Sequence, residues 1–217
     1  GRPRRRAGLS SLPHVAAAER LTVALFDPHS EGGGQVTYCL SLARALAQQG
    51  HRPILCVRAG SRLEKRGSQL GLDVRPVFQF PRGLRLGGWL ADARAFDALL
   101  HRDQPDIVHT NNSQDHWLAG LVRGVLRRAF CHVRTRHNTN RVRDNVFNRW
   151  LNRSLTDYQI VVCEQVRLTL AQQPAFDAAR LTTIHNGVDT AQFRPDAGAR
   201  ARMRAQWGYQ EGHVVLG

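Results

Sequence analysis

The chain has 217 residues, 42% of them hydrophobic and 22% charged, which suits one large globular domain or one domain with part of a second. Its net charge of +14 and pI near 11.3 select anionic partners: nucleic acid, anionic lipid or phosphorylated substrates. No apolar run approaches the ~18 residues of a membrane span, and the basic opening "GRPRRRAGLSSLPHVAAAER" lacks the apolar stretch of a secretory signal.

Residues 1–19 read as a basic disordered tail, and a start at Gly1 rather than Met suggests a shortened chain. "LTVALF" (21–26), stopped by Asp27-Pro28, reads as a buried strand. From Gln35 the period changes: Val36, Cys39, Leu40, Ala43, Leu46 and Ala47 recur at helical spacing up to Gly50, a good terminator. "PILCVR" (53–58) is a strand, "SRLEKRGSQLG" a short helix and "DVRPVFQF" an extended segment. "LGGWLADARAFDALLHRDQP" is a helix stopped before Pro105, followed by the strand "DIVHT" (106–110) and a helix over about 114–127. "AFCHVRTRH" (129–137) is a strand, "RDNVFNRWLNRSL" an amphipathic helix, "YQIVVCE" a strand and "EQVRLTLAQQ" a helix. "RLTTIHNGVD" is a last strand and turn. Beyond Asp189 comes a connector with an arginine-rich helix, and "HVVLG" reads as the first strand of a further domain that the chain does not complete.

Strands alternating with helices, most strands being continuous apolar runs, describe an α/β domain: a mostly parallel sheet buried between two helix layers, Rossmann-like. The expected division is a tail over 1–19, the domain over 20–190, and the connector and new strand over 191–217. Cys39, Cys56, Cys131 and Cys163 form no CxxC pair and read as reduced core thiols, not zinc ligands.

A parallel sheet binds ligands at the carboxyl ends of its strands. Gly32, Gly33 and Gly34 fall there, between the first strand and its helix. Free N–H groups at a helix start favour an anion, and glycine lets backbone approach a phosphate. The dinucleotide fingerprint fails, because Thr37 stands where its third glycine belongs and "ILCVRAGS" offers Arg58 but no acid for the ribose. A nicotinamide cofactor is therefore not expected. No Gly-Lys-Ser/Thr occurs either, which excludes a P-loop.

"EGGGQVTYCLSLARALAQQGH", "DIVHTNN", "VRTRHNT", "IVVCEQVRLTL" and "IHNGVDTAQFRP" follow in that order over about residues 20–197. Together they resemble the amino-terminal half of family 4 glycosyltransferases, which have the GT-B fold. That resemblance implies two Rossmann-like domains facing across a cleft, with the acceptor held mainly by the amino-terminal one. The nucleotide-sugar is held mainly by the carboxyl-terminal one, through elements beyond Gly217. The implied product is a sugar moved with retention of anomeric configuration onto a glycan, lipid-linked or small-molecule acceptor, as in bacterial glycan or lipopolysaccharide assembly. Such an enzyme works in the cytoplasm or at the inner face of the plasma membrane, and this portion alone is expected to be inactive. The resemblance gives Gly32, Gly33, Gly34 and Gln35 to the donor phosphates, His137 to the transferred sugar, and Asn186, Gly187 and Asp189 to the interdomain turn. No cofactor is implied and no metal is needed; the sequence offers no Asp-x-Asp triplet.

His109 and His137 close predicted strands, where a parallel sheet presents its chemistry. Asn111, Asn112 and Asn138 can donate to and accept from acceptor hydroxyls, although asparagine in loops commonly caps helices. Arg134, Arg136 and Arg141 suit a phosphorylated acceptor. Arg149 and Arg153, one helical turn apart beside Phe147, Trp150 and Leu151, suit an anionic membrane surface, unless that apolar stripe packs on the sheet. The rival readings are a nucleotide-sugar epimerase of the same architecture and a basic nucleic-acid-binding module. The last is disfavoured because aromatics are only 7% of residues and do not interleave with the arginines.

Overall fold

The computed structural model describes residues 20–83, 85–138 and 140–216; the expected tail lies outside them. Two compact units follow one another, the first ending at His185 and the second beginning at Asn186.

The first unit is a seven-stranded sheet in which every neighbouring pair is parallel. The strands are β1 (Thr22–Asp27), β2 (Arg52–Arg58), β3 (Asp73–Phe78), β4 (Ile107–Thr110), β5 (Cys131–Arg136), β6 (Tyr158–Val161) and β7 (Leu181–Thr183). Between them run α1 (Gly34–Gln48), α2 (Arg62–Gln69), α3 (Leu86–Asp103), α4 (Ser113–Gly124), α5 (Val146–Ser154) and α6 (Glu164–Ala171). The spatial order is β3-β2-β1-β4-β5-β6-β7. The order therefore reverses at β1, which pairs with β2 on one side and β4 on the other. The crevice between the carboxyl ends of β1 and β4 is the place where such a sheet admits a ligand.

Alternation along β1 explains its unbroken apolar run. Ala24 and Phe26 join a cluster with Phe78, Phe80, Phe96, Val108 and Leu118. Val23 and Leu25 join another with Val36, Leu40, Ala43, Leu55 and Leu63. The strand is thus buried on both faces. Phe26 anchors the first cluster, with ring centroids 5.0 Å from Phe78 and 4.7 Å from Phe96. A third cluster, around Val161, Leu170, Phe176 and Leu181, closes the β7 end. Cys39 and Cys56 are free and buried, while Cys131 and Cys163 are free and half-buried.

Element boundaries follow local chemistry. Ser61 caps α2 through Glu64 N, and Asn145 caps α5 through Asn148 N, so α5 starts at Val146 and not at Arg143. The helix expected over 114–127 ends at Gly124, and Arg127 turns to a φ of 51°.

The second unit holds α7 (Ala197–Gln206), capped by Asp196 through Ala199 N. The strand expected at "HVVLG" is not formed over His213–Leu216. A strand needs a neighbour for its ladder, and none of the described residues pairs there. Instead Arg204 Nη2 donates to the His213 carbonyl at 3.0 Å. Among the described residues no helix is long and apolar enough to cross a membrane.

Candidate active site

The crevice is built from three strand ends and one helix start. β1 ends in Asp27, and the loop after it carries His29 and the three glycines. α1 begins at Gly34 with Gly33 as its N-cap, at φ 150°, and no side chain caps it. The first-turn N–H groups are therefore left for another acceptor. Gly32 lies under the Arg62 guanidinium, where an added Cβ would come within 2.5 Å of Nη1. Gln35 Nε2 is buried and has no hydrogen-bond partner among the described residues.

β4 delivers Asn111 and Asn112. Asn111 is buried; its Nδ2 donates to the Phe26 carbonyl at 3.0 Å. That fixes the amide's orientation, so Oδ1 faces His137 Nε2 at 3.1 Å and accepts from it. His137 accordingly carries its proton on Nε2, and Nδ1 remains a lone pair with no partner among the described residues. Burial pushes its pKa down to about 4, so the ring is neutral. Tyr38 of α1 meets the His137 ring edge-on, centroids 4.6 Å apart.

Asn112 caps α4, its Oδ1 accepting from Ser113 N at 3.0 Å. Asp115 reaches back from the first turn and accepts from Asn111 N at 2.7 Å and Asn112 N at 2.8 Å. This carboxyl is buried, and burial raises its pKa to about 7.

Facing them, His29 Nδ1 lies 2.8 Å from Oδ1 of the buried Asp27. Asn112 Nδ2 is 3.3 Å from the same ring nitrogen. One nitrogen cannot donate to Asp27 and accept from Asn112, and the shorter, charge-assisted bond takes the proton. His29 thus points Nε2 away from Asp27, and the bond to Asp27 raises its pKa. Two histidines beyond the ends of β1 and β5, the strands flanking β4, are driven in opposite directions, His29 toward the cation and His137 toward the neutral ring, a separation typical of functional sites.

The other expected site residues are placed as follows. His109 is buried; its Nε2 lies 2.7 Å from Thr135 Oγ1, and burial lowers its pKa to about 3. Thr135 also meets Tyr38 OH at 3.1 Å. His109 therefore supports Tyr38, and through it His137, from below, and does not face the crevice. Arg134 and Arg136 are not at the surface either, because alternate residues of an inner strand turn into a covered layer. Arg134 contacts His116 Nδ1, and burial lowers its pKa to about 9. Arg136 Nη2 donates to the Asn140 carbonyl at 2.9 Å, with its guanidinium over the Phe176 ring at 5.7 Å. Both Nε atoms are buried without partners. Direct acceptor binding by either arginine is thus corrected to a place in the interior. Asn138 and Arg141 are exposed; Asn138 Oδ1 accepts from Asn140 N at 3.3 Å. Asn186, Gly187 and Asp189 are exposed and open the second unit, where Asp189 Oδ1 accepts from Ala191 N at 3.0 Å and Gln192 N at 3.1 Å. Among the described residues no group of His, Cys, Asp and Glu is placed to hold a metal ion.

Sequence reasoning did not single out Asp27, His29, Tyr38, Thr135 or Asp115. Asp27 and His29 stood in a stretch that signalled only the end of a strand, and Tyr38 sat inside a helical period. The one usable signal was the spacing Asn112-x-x-Asp115, that of a capping box.

Comparison with known proteins agrees with this architecture. No curated protein matches the sequence. A glycosyltransferase from Rickettsia africae ESF-5 superposes with a TM-score of 0.74 at 18% identity, over 89% of this chain and 51% of that one. Anabaena HepE, solved with UDP-glucose, gives 0.68 at 15%, over 87% and 50%. Sucrose-phosphate synthase from Thermosynechococcus elongatus gives 0.61 at 20%, over 85% and 53%. The chain thus spans about half the length of these structures, and the shared feature is the Rossmann-like domain of the GT-B fold. The sequence profile of Glycosyltransferase Family 4 matches residues 32–192. With a sheet that reverses at β1, and a glycine loop facing a held histidine there, the chain belongs to Glycosyltransferase Family 4.

Proposed function

We propose that the chain is the acceptor-side half of a hexosyltransferase that moves a sugar from a nucleotide-sugar onto a glycan, lipid-linked or small-molecule acceptor with retention of anomeric configuration. The observation that carries this reading is the pairing across the β1–β4 crevice: uncapped amides of the glycine loop on one side, and His137, held neutral by Asn111, on the other. HepE, which shares the fold, was solved with UDP-glucose, and this supports a nucleotide-sugar donor.

In this reading Gly32, Gly33, Gly34 and Gln35 approach the donor diphosphate. The bond from the sugar's anomeric carbon to phosphate oxygen breaks with its electron pair staying on the diphosphate, an acceptor hydroxyl oxygen bonds that carbon on the same face, and the hydroxyl proton passes to the leaving diphosphate. Helix-start amides and the cationic form of His29 offset the growing negative charge, and preorganised donors of this kind supply much of the rate enhancement in many enzymes. His137 Nδ1 accepts from a sugar hydroxyl, Asn138 and Arg141 meet the acceptor, and Asn186, Gly187 and Asp189 form the turn between domains. The enzyme needs no metal and works in the cytoplasm or at the inner membrane face; the isolated chain does not turn over. The test is a panel of nucleotide-hexoses with the complete protein, reading nucleotide release and product anomer. Transfer from at least one donor with retention is expected. Interconversion of the donor without an acceptor would instead make it an epimerase and overturn the reading.

A further inference from the structure

The loops that follow β2 and β3 carry arginines that the crevice between β1 and β4 does not use. β2 and β3 lie on the side of β1 away from β4. Arg62, the first residue of α2, donates its N–H to the Ser30 carbonyl at 2.9 Å and lays its guanidinium over Gly32. Arg58, at the end of β2, ties two loops together. Its Nε donates to the Pro28 carbonyl at 3.4 Å and its Nη2 to the Phe80 carbonyl at 2.9 Å.

Phe80 is held at φ 45°, a region that bulky side chains seldom adopt. Its N–H donates to the buried Asp92 carboxylate at 2.7 Å, and the Gln79 N–H does the same at 2.7 Å. Its ring is buried and stacks on Phe78. Further along, the Gly83 carbonyl accepts from Trp89 Nε1 at 3.0 Å. Residues 79–83 are thus pinned at both ends around a strained residue, and strain of this kind persists only where the surroundings over-determine it, most often at functional sites. Arg82 is the charged side chain of that segment, and it is exposed. Its charge reaches the His29 ring, where it opposes the larger pull of Asp27.

Arg58, Arg62 and Arg82 have no carboxylate partner among the described residues, whereas Arg52 and Arg75 of β2 and β3 do. The neighbouring acids are engaged elsewhere: Asp27 with His29 and Cys39, Glu64 with Gly60 N, and Asp92 with the two N–H groups of its loop. Of the acids between β1 and α1 only Glu31 is exposed. The uncapped start of α1 serves one anion. Cations on the far side of the same loop suit a second.

We propose that Arg62 and Arg82, beside His29, form a second anion subsite on the β2–β3 side of the glycine loop, and that it selects an acceptor carrying a phosphoryl or carboxylate group. Arg58 and Asp92 fix the loop that presents Arg82. A guanidinium meets either group through paired N–H donors, which gives direction as well as charge. That the anion belongs to an acceptor rests on the transferase reading; the subsite itself does not.

The test is an amide NMR titration of the chain in low-salt buffer, without any nucleotide-sugar. The probes are glucose 6-phosphate, glucuronate and uncharged glucose. Arg62→Gln and Arg82→Gln each remove one exposed cation, and Arg44→Gln, on the exposed side of α1, removes one outside the subsite; circular dichroism confirms the fold of each. Shifts at Gly32, Arg62 and Arg82 are expected with a charged probe and not with glucose. Affinity should fall roughly tenfold in Arg62→Gln and in Arg82→Gln, as for loss of a charge-assisted contact, and stay unchanged in Arg44→Gln. Tighter binding of glucose 6-phosphate would make the selected group a phosphoryl, and tighter binding of glucuronate a carboxylate; both support the subsite. Binding that depends on both arginines supports it whether or not the complete protein transfers a sugar. No binding of either charged probe, unchanged affinity in the two subsite variants, or an equal loss in Arg44→Gln overturns the proposal.

Discussion

Asn111 links His137 to the first strand: its Oδ1 accepts from His137 Nε2 at 3.1 Å while its Nδ2 donates to the Phe26 carbonyl at 3.0 Å. One buried amide therefore sets the tautomer of the histidine and ties β1 to β4 at the point where the sheet order reverses. Asn111→Ala removes both bonds and leaves the Phe26 carbonyl unsatisfied. A loss of about 1–3 kcal/mol in chemical denaturation is expected. Asn111→Asp offers two acceptors to that carbonyl and should be at least as damaging.

His137→Ala is expected to leave the chain folded but to cost about 1 kcal/mol, since it leaves the Oδ1 of buried Asn111 without its donor. In the complete enzyme it should reduce kcat by about 10²–10⁴-fold, the range for a positioned polar group at a reacting centre. Unchanged kcat would remove His137 from the site. Because its pKa is near 4, activity should show no ionisation of this ring between pH 5 and 8.

Stability should fall with acid. His109, His132 and His137 have folded pKa values of about 3, 4 and 4, all lowered chiefly by burial, and His116 is lowered for the same reason. Their ordinary value is near 6.5. The unfolded chain therefore binds more protons below 6.5, so the stability these rings contribute is complete above that pH and is lost as pH falls toward 3–4, at about 1.4 kcal/mol per pH unit per ring. Asp115 opposes this. Its pKa is raised to about 7, so the folded state binds the extra proton between about 4 and 7. His29, raised by Asp27, also opposes, since its stabilisation is present below 6.5 and is lost as pH rises through its folded value. Four depressed rings outweigh these two groups. A urea midpoint that rises from pH 4.5 to 6.5 is the expected result, and a flat profile would contradict the buried neutral rings.

The glycines of the loop should differ. Gly33 sits at φ 150°, ψ −180°, a region essentially reserved for glycine, so Gly33→Ala should cost about 1–3 kcal/mol. Gly32→Ala meets only the Arg62 side chain, which can swing away, and its effect on the thermal midpoint should be small. Both should weaken donor use in the complete enzyme, seen as a higher KM for the nucleotide-sugar.

Gly120→Ala tests how α5 is mounted on α4. A Cβ there would overlap Leu151 Cδ1, and Leu151 is buried. Alanine in a helix gains about 1 kcal/mol over glycine, whereas overpacking costs about 1–3 kcal/mol. A net destabilisation is expected; a stabilised variant would mean that Leu151 has room to move.

The sequence by itself determined the layering and the sheet. Continuous apolar strands such as "LTVALF" and "PILCVR" announce burial on both faces, and the helices between them require parallel crossovers. It also drew attention to Gly32–Gly34 and His137, because glycine runs and strand-end polar residues are local signals; it offered Asn111 to acceptor hydroxyls, whereas the buried amide is taken by the Phe26 carbonyl and His137. It misplaced Arg134, Arg136 and His109, since a strand end looks alike in sequence whether its side chains face the crevice or the covered layer. It left α5 undecided between sheet and solvent; helical spacing defines two faces without saying which one is covered. Only the tertiary structure decided those orientations. It also brought together Asp27 with His29, Asn111 with His137, and Trp150 with Gly124. The last two pairs are 26 residues apart in sequence, and they meet because β4 and β5 are neighbours in the sheet and because α5 packs on α4. Those are properties of assembled layers, and no local pattern encodes them.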